Sequence, residues 1–405
     1  MRVAILSAIH PTGDDGEGPV RGHLTVAGRS AAAFQLDLAL RLGCERIVCF
    51  AEGLDEAVLP LLHHAEQAGA SFHALGSARA LSGLVKAQDD LFVFAEGVVP
   101  DPLAAGELLA ERPGIVTLPA EAGLEAGFER IDRDHAWAGL ARLPGSAVER
   151  LAEMPIDVDA VPALLRVGLQ SGMRLVPLPR ASLVERRWTL LRDERDAQSF
   201  EAAWLHRRIV PTSFAAPAYA TADRISLAFA PRFLARRGRA LLPFAGGFLG
   251  LGGALLAAHG QMAAVAFGLL AVGAFLLRMG LTLGALLRDE PMRGWSGRLL
   301  RAVPGLAVDA AILAVVALVA PSAALAAWVF AGLVALLALR ATQRAGAGVA
   351  SVVATDRAAL AALLVPCAAT GQLLPAIQAI ALIGLVFLAS NCRASTDNAD
   401  LTMSR

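Results

Sequence analysis

The sequence predicts two structural classes in one chain, an α/β domain followed by an all-α membrane domain. Short apolar runs alternate with helical patterns in the first half, whereas residues 240–390 form one apolar block broken at short, regular intervals. Most acidic residues also lie before position 224. The predicted divisions are an α/β domain at 1–195, a linker with an amphipathic helix at 196–239, a six-helix membrane domain at 240–390, and a tail at 391–405.

The composition narrows the possible functions. The formal net charge is zero, and the arginines that supply almost all positive charge are scattered along the chain. This pattern gives no indication of nucleic-acid binding. The four cysteines form no Cys-x-x-Cys pair, which argues against zinc and against a disulfide framework. The first residues do not resemble a signal peptide, because their apolar run is short and polar residues follow at once.

Strands and helices alternate in the first half. The predicted strands are 2–8, 46–51, 71–75, 91–95, 114–118 and 174–178. Such alternation favours a mostly parallel sheet wrapped by helices. In these sheets, ligands bind beyond the carboxyl ends of the strands. The loops at 9–22 and 96–101 are therefore the predicted site.

The loop after the first strand is rich in glycine and contains Gly13 and Gly16, with Arg21 close behind. Its backbone N–H groups could donate to a phosphate, and Arg21 could attract one. The alternative is a flexible surface turn. Three acidic residues in the same loop favour that alternative, because they would repel phosphate unless a metal lay between them.

Three segments resemble the sugar-phosphate nucleotidyltransferases. Val26–Arg29, followed by a helix, resembles the turn that opens the first long helix of that family. Leu91–Pro102 resembles the strand that carries the family's metal-binding Asp, and Ala136–Leu140 resembles a later core strand. The resemblance covers the first domain and is closer in layout than in catalytic residues.

This resemblance implies a nucleotide site with Mg²⁺ as the cofactor if the domain is active, and no cofactor otherwise. Gly13, Gly16 and Arg21 would be the nucleotide-binding residues, with Arg21 at the position where the family has a lysine. The family's metal-binding Asp falls on or beside Glu96, so Glu96 is the candidate metal ligand. Its longer side chain would displace the carboxylate by roughly one bond, and catalysis is sensitive to shifts of about 1 Å.

The second half contains apolar segments near the length of about 20 residues that a spanning helix needs. They lie at about 240–258, 262–287, 303–320, 322–339, 358–371 and 373–390. The connecting loops alternate between those without Lys, Arg, Asp or Glu and those with several arginines. By the positive-inside rule, this alternation predicts six spans in a bacterial-type inner membrane, with both termini cytoplasmic.

The junction between the halves is rich in arginine. Residues 223–237 place apolar side chains beside several arginines, which predicts a helix that lies in the cytoplasmic membrane interface. The alternative is a solvated linker helix. The linker segments Ala203–His206, Pro211–Thr212 and Asp223–Ser226, together with six spans, resemble the cytidylyltransferases that are fused to CDP-alcohol phosphatidyltransferases.

That fused family uses four Asp residues on its second and third membrane helices to hold two Mg²⁺ ions. Here the second span has no acidic residue, and the third keeps Asp309, the candidate catalytic residue. One carboxylate is too few for two Mg²⁺ ions. Arg278 in the second span could instead pair with Asp309 as a structural remnant of the site.

Three hypotheses of function follow. The first is a degenerate pseudoenzyme of phospholipid or inositol-lipid synthesis, which contacts membrane lipids and assists an active paralogous transferase or acts as a homodimer. The second is an active nucleotidyltransferase that uses a nucleoside triphosphate to make a nucleotide-linked alcohol. The third is a membrane scaffold with a ligand-sensing α/β domain.

Overall fold

The computed structural model describes residues 1–13, 18–110, 112–155, 158–234, 239, 241–287, 295–345 and 348–403. The chain separates into two compact units, which we call the N-terminal unit, Met1–Trp204, and the C-terminal unit, Leu205–Arg405. The N-terminal unit is a mixed α/β domain and the C-terminal unit is helical.

The strands of the N-terminal unit are β1 (Arg2–Ser7), β2 (Thr25–Val26), β3 (Arg29–Ser30), β4 (Arg46–Phe50), β5 (Ser71–Leu75), β6 (Asp90–Phe94), β7 (Val98–Val99), β8 (Gly114–Pro119), β9 (His135–Pro144), β10 (Leu175–Pro177) and β11 (Thr189–Leu190). Seven of them form one sheet in the order β10-β8-β9-β6-β1-β4-β5. The six predicted strands are confirmed, and β9 is antiparallel to both β6 and β8. The sheet is therefore mixed rather than wholly parallel.

Helices cover both faces of this sheet. The helices up to residue 184 are α1 (Ala31–Arg41), α2 (Leu59–Gln67), α3 (Pro102–Leu109), α4 (Ala120–Glu125), α5 (Ala147–Ala152), α6 (Ala160–Gln170) and α7 (Arg180–Val184). A further helix, α8 (Glu194–Arg208), begins in the N-terminal unit and ends in the C-terminal unit. Alternate residues of β1 enter two separate cores, with Ala4 and Leu6 in one and Val3 and Ile5 in the other. A central strand that is buried on both faces reads as a continuous apolar run, which is why β1 could be recognised in the sequence.

The C-terminal unit consists of α9 (Pro217–Leu234), α10 (Leu242–His259), α11 (Ala263–Leu286), α12 (Trp295–Val319), α13 (Leu325–Ala345), α14 (Val349–Val353), α15 (Arg357–Ala369) and α16 (Leu373–Met403). Four segments are long and apolar enough to cross a membrane: Leu242–His259, Ala263–Leu286, Ala302–Val319 and Ser322–Arg344. The other two predicted spans form the shorter apolar helices Arg357–Ala369 and Leu373–Ala389. Four of the six predicted spans therefore meet the length and composition that a span requires.

Glycines allow α10 and α11 to pack closely. A Cβ atom added to Gly250 would lie 2.8 Å from the Cα of Gly273, and one added to Gly247 would lie 2.6 Å from Leu277. Small residues at such a crossing let two backbones approach, which favours helix association in a membrane. This packing fixes the position of α11, the helix that carries Arg278.

Candidate functional site

The N-terminal unit has a cleft where β1 and β6 end side by side. The two strands are parallel neighbours, so the segments that follow them meet at one edge of the sheet. The cleft has a volume of about 240 Å³. Its lining includes Ser7, His10, Arg21, Glu96 and Asp159. We call it the Glu96 cleft.

Glu96 is the centre of a dense hydrogen-bond network. Its carboxylate accepts hydrogen bonds from the Ser7 hydroxyl at 2.9 Å and from the backbone N–H groups of Ile9, His10 and Gly22 at 3.3, 3.1 and 3.2 Å. The Nδ1 atom of His10 lies 2.8 Å from the same carboxylate. Glu96 is only 9% exposed. The Glu96 carboxylate therefore accepts the hydrogen bonds that backbone N–H groups of the loop after β1 could otherwise donate to a ligand.

His10 lies between two carboxylates. Its Nδ1 atom faces Glu96, and its Nε2 atom lies 3.1 Å from Asp159. The hydrogen bonds to Asp159 and Glu96 raise the pKa of His10 to about 10, against the opposing effect of burial. At neutral pH the imidazole is therefore a cation that donates from both nitrogens.

Burial acts to raise the pKa of Glu96, but the hydrogen bonds from His10, Ser7 and the backbone outweigh it and lower the pKa below its usual value. Glu96 is consequently ionised at neutral pH. The resulting ion pair and N–H contacts hold the loop after β1 against the turn after β6.

The local sequence explains why these segments approach so closely. A Cβ atom on Gly22 would lie 2.9 Å from the Ser7 carbonyl oxygen, so only glycine lets this residue reach β1. Gly97 has φ +76°, and a Cβ there would lie 2.5 Å from the Leu191 carbonyl oxygen. The buried side chain of Gln35 donates to the carbonyl oxygens of Ala95 and Val98, which fixes the turn that carries Glu96.

The predicted nucleotide-binding residues fall in different places. Arg21 lines the Glu96 cleft, and its Nε atom is buried without a partner among the described residues. Gly13 is not among the residues that line the cleft, and Gly16 lies outside the described residues. The nucleotide-binding roles of these three residues therefore stay predictions.

The prediction omitted Ser7, His10 and Asp159. Asp159 carried a recognisable signal, because an Asp before a helical run is a typical N-cap, and it does cap α6 by accepting the N–H of Val161. Its second contact, with His10, joins segments that are far apart in the sequence. Ser7 and His10 flank the end of a buried strand, but no local spacing linked them to Glu96.

The described residues of this cleft do not form a site for a Mg²⁺ ion. Across the described ranges, no group of three or more His, Cys, Asp or Glu residues is arranged to hold a metal. Both oxygens of Glu96 already accept hydrogen bonds from the protein. Its role as a metal ligand stays a prediction that would require this network to rearrange.

The C-terminal unit contains a second polar site, a pocket of about 190 Å³ that we call the arginine pocket. Its lining includes Arg278 of α11, Asp309 of α12, Arg340 of α13 and Arg357 of α15. Asp309 accepts from the Nε atoms of both Arg340 and Arg357 at 2.6 Å. The candidate catalytic carboxylate is therefore held between two guanidinium groups.

Arg278 makes a different pair from the one expected. Its Nε donates to one carboxylate oxygen of Asp223 on α9, and one of its terminal nitrogens donates to the other oxygen, both at 2.8 Å. Thr212 and Thr282 also donate to Asp223, which is completely buried. The expectation that Arg278 pairs with Asp309 is wrong, because α9 packs against α11 and supplies the carboxylate.

Burial acts to raise the pKa of Asp223, but the hydrogen bonds from Arg278 and Thr212 lower it below the usual value. The ion pair thus fixes one face of α9 inside the C-terminal unit. Phe229, on the same helix, is exposed. The placement of this helix in a membrane interface stays a prediction.

No protein-family model matches the sequence, and no curated protein is detectably similar to it. Over the N-terminal half, its structural neighbours are sugar- and inositol-phosphate nucleotidyltransferases. The UDP-glucose pyrophosphorylase from Acinetobacter baumanii matches with a TM-score of 0.37 and 11% identity, over 51% of this chain and 94% of that one. The inositol-1-phosphate CTP transferase from T. maritima matches with a TM-score of 0.37 and 15% identity, over 50% of this chain and 94% of that one. A likeness of this size does not identify an activity.

Proposed function

We propose that this protein is a membrane protein of phospholipid or inositol-lipid synthesis that has lost transfer chemistry at both sites and works as the partner of an active enzyme. One shared observation carries the proposal. The two carboxylates that the sequence offers for catalysis, Glu96 and Asp309, are both occupied by donors of the protein itself. Neither is free to hold a metal or to activate an alcohol.

The Glu96 cleft supports this proposal because its N–H groups are already in use. A phosphate that enters after the first strand would need donors such as the N–H groups of Ile9, His10 and Gly22. All three donate to Glu96, whose negative charge would also repel a triphosphate. Nucleotidyl transfer would require Glu96 to leave this position.

The arginine pocket supports the proposal through its charges. Two-metal chemistry needs several carboxylates to neutralise the ions. Asp309 is instead neutralised by Arg340 and Arg357, and Arg278 adds a third guanidinium to the same pocket. A divalent cation would be repelled from this position.

We further propose six spans in a cytoplasmic membrane of bacterial type, with both termini on the cytoplasmic side. Four segments meet the length of a span, and the Arg-rich connections favour this orientation. The partner would be an active paralogous transferase or a second copy of this chain, and membrane lipids would contact the apolar helices.

The test is deletion of the gene in its native host, followed by quantification of the phospholipid headgroups. We expect deletion to lower the level of at least one phosphate-containing headgroup class, and complementation with either wild type or Asp309→Asn to restore it. Restoration by Asp309→Asn is expected because this carboxylate performs no chemistry. Unchanged lipids after deletion, or failure of a stably expressed Asp309→Asn protein to complement, would refute the proposal.

One observation favours a second function, an active nucleotidyltransferase. Arg21 lines the Glu96 cleft, and its buried Nε atom has no hydrogen-bond partner among the described residues. A bound phosphate would satisfy it. Purified full-length protein would then release pyrophosphate from a nucleoside triphosphate and an alcohol phosphate with Mg²⁺, and Arg21→Gln would abolish the release. Absence of release across CTP, UTP, dTTP and ATP with sugar and inositol phosphates would exclude this function.

A further inference from the structure

The arginine pocket lies where α11, α12, α13 and α15 come together near one end of the C-terminal unit. Arg278 is the sixteenth of the 24 residues of α11, Arg340 lies in the last third of α13, and Arg357 is the first residue of α15. Leu277 and Val308 contribute apolar walls. The pocket thus combines three guanidinium groups with an apolar surround.

The positive charge in this pocket exceeds the negative charge that faces it. Asp309 is shared by Arg340 and Arg357. Asp223 pairs with Arg278 but is not itself among the residues that line the pocket. Within the described part of the chain, three guanidinium groups therefore have two carboxylate partners.

Asp356 is the next acidic residue, but its oxygens are used elsewhere. It accepts the N–H groups of Ala218, Tyr219 and Ala359, and so caps the start of α15. A positive charge without a partner is costly in an apolar setting unless an anion compensates it. This imbalance points to an anionic ligand.

The arginines also keep donors available. Arg278 uses its Nε and one terminal nitrogen for Asp223 and Thr212. Arg340 uses its Nε for Asp309 and makes a long contact of 3.5 Å with the Gly305 carbonyl oxygen. The described residues provide no acceptor for the other terminal nitrogen of either side chain. These side chains are 31% and 29% exposed, so the free donors are accessible.

We propose that the arginine pocket binds a phosphate group without the help of a divalent cation. The free terminal nitrogens of Arg278 and Arg340 can each donate a charge-assisted hydrogen bond to a phosphate oxygen, and the ligand supplies the missing negative charge. The phosphate belongs either to a lipid headgroup or to a free phosphomonoester. The proposal is independent of the proposed function, because binding is measured without chemistry or a partner protein.

The experiment uses the purified full-length protein in detergent with EDTA present. Equilibrium dialysis measures the binding of inorganic phosphate and glycerol 3-phosphate. Retention of phosphatidic acid is measured after reconstitution into phosphatidylcholine nanodiscs that contain it. We expect Arg340→Gln to weaken binding of the preferred probe by about tenfold, since a charged hydrogen-bond pair is lost. Asp309 keeps its partner Arg357 in this variant, so the fold is expected to persist.

Arg344→Gln is the matched control. It removes the same charge from the same helix one turn later, at an exposed position outside the pocket. A selective loss in Arg340→Gln with soluble phosphates supports a free ligand, and a selective loss only with phosphatidic acid supports a lipid headgroup. Equal losses in the two variants, or no binding of any probe to the wild type, would overturn the proposal.

Discussion

Glu96 and Asp309 are two buried carboxylates held by different kinds of donors. Glu96 is 9% exposed and Asp309 is 7% exposed, so both have lost most of their contact with water. Glu96 is stabilised by a hydroxyl, three backbone N–H groups and one histidine. Asp309 is stabilised by the guanidinium groups of Arg340 and Arg357.

The difference determines what each site can bind. In the Glu96 cleft, the carboxylate fills an anion site made of a hydroxyl, backbone N–H groups and one histidine, and the site is closed to other anions while Glu96 stays. In the arginine pocket, one carboxylate cannot balance two guanidinium groups, and the site is open to a further anion. A buried carboxylate therefore has opposite electrostatic consequences in the two units.

The largest effect is expected from Asp309→Ala. The substitution leaves Arg340 and Arg357 close together without their shared carboxylate. Removing one member of a buried ion pair costs about 3–5 kcal/mol, because the remaining charge is uncompensated. Thermal denaturation of the full-length protein in detergent should show a clearly lower midpoint.

The double variant Asp309→Ala/Arg340→Gln tests whether the uncompensated charge of the two arginines causes this loss of stability. It removes one of the two unpaired cations, so its midpoint should lie above that of Asp309→Ala alone. If the double variant were less stable than the single one by the full cost of Arg340→Gln, the cation repulsion argument would be wrong.

A smaller effect is expected from Glu96→Gln. The amide keeps the shape of the side chain, but its NH₂ group faces donors and cannot accept from them. Loss of hydrogen bonds to a charged acceptor costs about 1.5–3 kcal/mol. Amide hydrogen exchange should become faster at Ile9, His10 and Gly22 in the full-length protein.

Ser7→Ala provides the matched comparison for this prediction. It removes one hydroxyl donor and leaves the carboxylate with its backbone partners, so its effect should be only about 1 kcal/mol. An equal or greater loss of protection in Ser7→Ala would show that the charge of Glu96 is not the main source of stability in this loop.

Much of the architecture could be predicted because it is recorded in local patterns. The strand β1 is an apolar run that is buried on both faces, and α3 begins with an Asp N-cap and a first-turn proline, Asp101 and Pro102, which is a typical local signal of a helix start. The four long apolar helices follow from length and composition alone. The antiparallel placement of β9 could not be read locally, since strand direction depends on which neighbours pair.

The candidate sites were less predictable because their contacts join distant segments. Asp223 was assigned to a linker, yet it is the buried partner of Arg278. Arg357 was one of several loop charges that indicated orientation, yet it is 5% exposed and binds Asp309. Sequence spacing identified which residues were chemically suitable, whereas helix packing determined which of them meet.

The last prediction concerns pH and separates the two sites by the nature of their cations. The pKa of His10 is raised from an ordinary 6.5 to about 10. The folded protein therefore binds this proton more tightly than the unfolded chain, so the stabilisation is complete below pH 6.5 and is lost as the pH rises to about 10. Asp309 is held by Arg340 and Arg357 and has no histidine partner among the described residues.

The measurement is the rate at which subtilisin cleaves within residues 8–24 of the full-length protein, in wild type and His10→Gln, between pH 7 and pH 10. Comparing the two proteins at each pH removes the pH dependence of the protease. The wild type should be more resistant than His10→Gln near neutral pH, and the difference should vanish toward pH 10. A constant difference across this range would mean that the charge of His10 does not hold the loop, and that the Glu96 cleft relies on neutral donors alone.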